Sequence, residues 1–185
     1  EEPDGDPHWW HDPTNFEHVA TALGVELGKV DARNRSAYAA NAARYVREIQ
    51  AMDAANKRAL RAVPVADRKL VTNHDAFRYF AAHYDITILG SVLNSLSTAA
   101  QPNAKDIAAL IRKIRAAHVK AIFTESSINP KLEQQIASEA GVKVYANLYG
   151  DTLGPRGSNG ATYLKVERWN VTAIIAGLLG RSPDQ

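Results

Sequence analysis

Apolar residues fall along this chain in two regimes. Between 14 and 29, Phe16, Val19, Ala20, Leu23 and Leu27, continued by Val30, recur at helical spacing behind Thr14 and Glu17, which read as a capping box and predict a first amphipathic helix. From Asp31 an Ala-rich segment carries Tyr38, Ala42, Tyr45, Ile49, Met52, Ala55, Ala59 and Val63 on one stripe. It holds no Gly or Pro until Pro64, which predicts one continuous helix from about 31 to 62. At ~1.5 Å rise per residue, some 30 residues span roughly 45 Å, longer than a small domain is wide, so this segment reads as a rigid spine.

Beyond Pro64 short apolar runs alternate with amphipathic stretches, the signature of an α/β fold with a parallel sheet. The predicted strands are 69–72, 86–89, 120–124 and 142–147, and the helices 75–84, 103–118, 129–140 and 160–179. Asn103 is the expected N-cap of one helix, and Asn129-Pro130 the N-cap and first residue of another.

Composition narrows the chemistry. With 185 residues, 45% of them hydrophobic, the chain can bury a core. Its net charge of +2 is spread without a basic block, so no nucleic-acid partner is expected. Cysteine is absent, which excludes thiolate metal sites, disulfides and Cys nucleophiles. No run of 18 apolar residues occurs, and the opening Glu1-Glu2-Pro3-Asp4-Gly5 is acidic and polar. Neither a membrane span nor a signal peptide is therefore expected in these residues, and any leader would lie upstream.

The densest chemistry is Asp6-Pro7-His8-Trp9-Trp10-His11-Asp12-Pro13, with imidazoles and carboxylates around a tryptophan pair in a loop stiffened by prolines. Neutral imidazole with nearby carboxylates is the usual surrounding of zinc and related ions, so the stretch reads as one edge of a transition-metal site. In parallel sheets ligands bind beyond the carboxyl ends of the strands. There the predicted strands run into Asn73-His74-Asp75, Glu125 and Tyr149-Gly150-Asp151. Taken singly, each has a plainer reading: a solvated or capping imidazole, a loop Glu beside Ser126 and Ser127, an Asp in a turn among Gly150, Gly154 and Gly157. Their shared rim favours the metal reading.

The ordered set Asp-Pro-His-Trp-Trp-His-Asp-Pro, a long helix, Val71-Thr72-Asn73-His74-Asp75-Ala76-Phe77-Arg78-Tyr79-Phe80, Phe123-Thr124-Glu125 and Tyr149-Gly150-Asp151-Thr152-Leu153-Gly154-Pro155 resembles the metal-binding solute receptors of ABC-type zinc and manganese importers. The resemblance implies two α/β lobes joined by a rigid helix and a divalent ion held in the cleft by four residues. His8, His74 and Asp151 match the second, third and fourth of these; the first, on an early strand of the amino-terminal lobe, has no counterpart here. The chain is thus expected to be a carboxy-terminal portion. Residues 1–30 would be a remnant of the amino-terminal lobe, 31–64 the linker helix and 65–185 the carboxy-terminal lobe. The family pattern has an apolar residue at His11, so His11 is expected behind the ligands or at the surface, with Asp75 and Glu125 as further residues behind the ligands. His18, His83 and His118 are expected to be structural or solvated.

The resemblance further implies an extracytoplasmic, monomeric binding protein, periplasmic or at the cell surface. It would bind zinc in preference to manganese, deliver it to a membrane permease and catalyse nothing. Two alternatives stand beside it. One is a zinc hydrolase with Glu125 or Asp75 as base, which the absence of a compact HExxH motif disfavours; the other is an adhesin-like module ordered by its metal.

Overall fold

The computed structural model describes residues 5–93, 95–96, 103–125 and 130–181. Helix α1 spans Pro13–Val30 and is capped by Asp12, whose carboxylate accepts from the Thr14 amide at 2.9 Å and the Thr14 hydroxyl at 2.7 Å. The expected Thr14/Glu17 capping box is therefore corrected. Asp12 supplies the cap and Pro13 the first helical residue, and Glu17 reaches across to the Gln50 amide at 2.8 Å. The inner face of α1 is made by glycines. A Cβ on Gly24 would come within 2.7 Å of the Ala42 methyl, and one on Gly28 within 2.9 Å of Arg35 Cγ. Close approach through Gly24 and Gly28 turns the predicted stripe outward, leaving Val19, Leu23, Leu27 and Val30 between 39% and 88% exposed.

Helix α2 spans Arg35–Leu60. It starts later than expected because Asp31 ends α1, its carboxylate accepting from Asn34 at 2.7 Å and from the Tyr38 hydroxyl at 3.2 Å around a 3-10 turn at Ala32–Asn34. From there it runs unbroken for 26 residues, ~39 Å at helical rise. Its buried line is Ile49, Met52, Asn56 and Leu60, so Ala55 and Ala59 of the predicted stripe lie outside it. Arg68 closes the end of the spine, donating to the Leu60, Val63 and Tyr84 carbonyls at or just beyond the last helical turns.

The remainder is the expected parallel sheet with helices: β1 Lys69–Thr72, α3 Arg78–Tyr84, β2 Thr87–Ser91, α4 Ala104–Ala116, β3 Ala121–Glu125, α5 Lys131–Ala140, β4 Lys143–Leu148 and α6 Tyr163–Leu179. The strand order is β2-β1-β3-β4, with every pairing parallel. Alternation divides the strands between two cores. Leu70 and Phe123 pack with Phe77, Phe80 and Ile174 on one side, and Val71 and Ile122 with Ile111, Ile114 and Ile136 on the other. Asn103 caps α4 as expected, accepting from the Asp106 amide at 2.9 Å, whereas the expected cap Asn129 lies outside the described residues. Because the chain leaves β1 for β2 on one flank and returns to β3 on the other, the order reverses between β1 and β3. That is where open α/β sheets form their ligand crevice.

Candidate metal centre

Three side chains meet above this crevice. His74 follows β1, Asp151 follows β4, and His8 arrives on the loop ahead of α1. Ligand atoms of His8, His74 and Asp151 all lie within 4.8 Å of one another. Asp151 Oδ1 stands 3.2 Å from His8 Nε2 and 3.4 Å from His74 Nε2. Both imidazoles are buried, while the Asp151 side chain is 35% exposed, so the site opens on the Asp151 side. His74 Nε2 is buried and makes no hydrogen bond among the described residues. Such an orphan is costly unless an ion completes it.

Each imidazole is aimed by a carboxylate at its other nitrogen. His8 Nδ1 lies 2.7 Å from Asp6, which also accepts the His8 amide at 3.0 Å, and His74 Nδ1 lies 2.5 Å from Glu125 and 3.0 Å from Asn73 Oδ1. A carboxylate behind a histidine fixes the tautomer that leaves Nε2 free to bind a cation. Burial pulls the His74 pKa down, but the hydrogen bond and charge of Glu125, with Asp151, outweigh it and hold it above its ordinary value.

The other sequence candidates fall as follows. Glu125 ends β3, is 3% exposed and aims His74. Asp75 pairs instead with Arg78 in the next turn. His11 is fully buried rather than superficial, its Nδ1 3.0 Å from Glu167 of α6 and its Nε2 3.1 Å from the Gly150 carbonyl. His83 bridges Asp12 at 3.0 Å and Asp53 at 2.8 Å, tying the loop of His8 to α2, while His18 is exposed. Sequence reasoning passed over Glu167 as part of this site, and it placed Asp6 and Gly150 in the motifs without giving either a role of its own. Asp6 was legible two residues before His8, whereas Glu167 shares its buried helix face with the polar Asn170 and carries no local signal.

A family model described as ZnuA, zinc-uptake complex component A periplasmic, matches residues 1–177. The chain belongs to that family. Among ZnuA-family relatives, a metal ABC transporter substrate-binding lipoprotein of Lactococcus lactis is 28% identical over 173 residues, covering 94% of this chain and 55% of its own length. The manganese-binding lipoprotein MntA of Bacillus subtilis is 29% identical over 178 residues, covering 94% of this chain and 58% of its own. The solved periplasmic zinc-binding protein TroA of Treponema pallidum superposes with a TM-score of 0.88 at 30% identity, covering 96% of this chain and 65% of that one. The chain thus spans little more than half the length of these curated family members.

Proposed function

We propose that this chain is the carboxy-terminal, metal-holding portion of an extracytoplasmic receptor that captures a divalent transition metal and passes it to the membrane permease of an ABC importer. His8, His74 and Asp151 are its ligands, with zinc preferred to manganese. In this reading residues 1–30 are what is present of the other lobe, α2 is the linker, and the receptor is a monomer. The observation that carries it is the convergence of two carboxylate-backed imidazoles and one carboxylate within 4.8 Å at the switch point of a parallel sheet. Two nitrogens and one oxygen suit zinc, and the general affinity order places zinc well above manganese at such a donor set. Relatives named for both metals leave that preference to experiment. The lipoprotein names of family members support an extracytoplasmic location.

The test is competition of zinc and manganese against a chelating dye in the full-length protein, with His8→Ala and His74→Ala as variants. Tighter zinc binding that each variant weakens by more than about tenfold is expected. Unchanged affinity in both variants overturns the ligand assignment, and tighter manganese binding overturns the preference.

A further inference from the structure

We infer that His11 and Glu167 form a buried strut that positions Asp151 relative to His8, acting through the Gly150 carbonyl. The inference rests on the ligand assignment above and adds to it the residues that hold the two sides of the site in register.

His11 sits three residues beyond His8 and Gly150 immediately before Asp151. The Gly150 carbonyl accepts from His11 Nε2 and from Trp10 Nε1, each at 3.1 Å, so both of its lone pairs are taken by the loop that carries His8. Since the peptide joining Gly150 to Asp151 is planar, fixing that carbonyl fixes the plane from which the Asp151 side chain departs. His11 cannot drift, because its Nδ1 is held 3.0 Å away by Glu167, a residue with no exposed surface on α6. Asn56 of α2 in turn binds the Glu167 backbone carbonyl at 3.2 Å, and the Tyr163 hydroxyl holds the Trp10 carbonyl at 2.9 Å.

The third ligand is tied to the same peptide. A Cβ at Gly150 would lie 2.2 Å from Glu125 Oε2, so the carboxylate that aims His74 rests directly against this backbone. Gly150 is therefore the junction at which the supports of His8, His74 and Asp151 meet, and His11 with Glu167 anchors that junction to the helical frame. Neither residue touches the ion position; both are positioning residues.

The test replaces the pair by apolar residues, His11→Leu with Glu167→Leu, in the full-length protein, and compares it with Glu167→Gln. Glutamine can donate its amide to His11 Nδ1 and leave Nε2–H on the Gly150 carbonyl. Removing both polar partners leaves neither one stranded, so thermal stability of the metal-free double variant should stay near that of the parent. Zinc affinity should fall about tenfold, the low end for residues behind a ligand. The visible spectrum of bound cobalt(II), which reports ligand geometry, should change. Glu167→Gln should recover most of both effects. Wild-type affinity and an unchanged cobalt spectrum in the double variant overturn the strut. If the double variant does not fold, Trp10→Phe, which removes the other donor to the same carbonyl, decides: a weaker site with an altered spectrum supports the inference, and an unchanged one overturns it. His8→Ala in the same series separates the two ideas, because a failed ligand assignment leaves that variant unaffected, whereas a failed strut leaves it weakened.

Discussion

Removing the carboxylate of Glu125 is the most informative single perturbation of this site. Glu125 ends β3, is almost wholly buried, and its Oε1 lies 2.5 Å from His74 Nδ1. Outer carboxylates of this kind contribute ~10–100-fold to metal affinity, or about 1.4 to 2.7 kcal/mol. The geometry decides which end of that range applies. Asn73 Oδ1 also faces His74 Nδ1, at 3.0 Å, so the Nδ1–H tautomer keeps one acceptor when Glu125 is lost. Glu125→Ala should therefore weaken zinc binding by about tenfold rather than a hundredfold. Glu125→Gln, which still presents an oxygen to Nδ1 but no charge, should lose less. Both changes leave the burial of His74 unopposed by that charge, so its pKa should drop in the metal-free protein. Isothermal titration with zinc measures the first effect and the imidazole proton resonances of His74 the second. Wild-type affinity in Glu125→Ala, alongside lost affinity in His74→Ala, would refute the claim that the carboxylate aims the ring.

Three further outcomes follow from the same geometry. Because His74 is raised above the ordinary imidazole value of about 6.5, its stabilising share in the metal-free protein is full below that value and lost as pH rises through the raised one. Zinc affinity rises over the same window as proton competition fades, so denaturation and titration curves that slope the same way would contradict the reading. Gly150→Ala would drive a methyl into the Glu125 carboxylate, costing about 1–3 kcal/mol in denaturant unfolding and weakening metal binding together; a neutral effect on both counts against the close approach. Asp12→Ala removes the cap of α1 and a partner of His83, so a loss of ~1 kcal/mol is expected, with Asp12→Asn retaining most of the cap.

The strands were legible to within a residue or two, because a parallel sheet covered on both faces writes short continuous apolar runs into the chain. Three of the four end where the sequence places its chemistry: His74 after β1, Glu125 at the tip of β3, Asp151 beyond β4. The helices ahead of the sheet were read less well, for a definite reason. Apolar periodicity marks an inner face only when side chains fill the contact, and α1 meets α2 through Gly24 and Gly28 instead. The helical stripe is real, but beyond Phe16, which packs against Tyr45 of α2, its larger residues Val19, Leu23, Leu27 and Val30 are exposed. Likewise the continuous helix from 31 to 62 carried no Gly or Pro to warn of the turn at Ala32–Asn34, which local hydrogen bonds of Asp31 produce.

The centre itself divides along the same line. Residues at the strand ends could be found in sequence, since topology gathers them, and His8 was placed with them by the family resemblance. The pairing of His11 with Glu167 could not be found there, for 156 positions separate the partners and nothing local marks them as a pair. Burial raises the Glu167 carboxyl above its ordinary value, and the hydrogen bond and attraction to His11 offset only part of that rise. A buried ionisable pair is poor evidence for stability, as well-packed apolar residues would serve the core at least as well. What apolar residues cannot do is donate a hydrogen bond to the Gly150 carbonyl. The structural reason for this pair lies in the direction of that bond, toward the peptide that carries Asp151, rather than in the strength of the core around it.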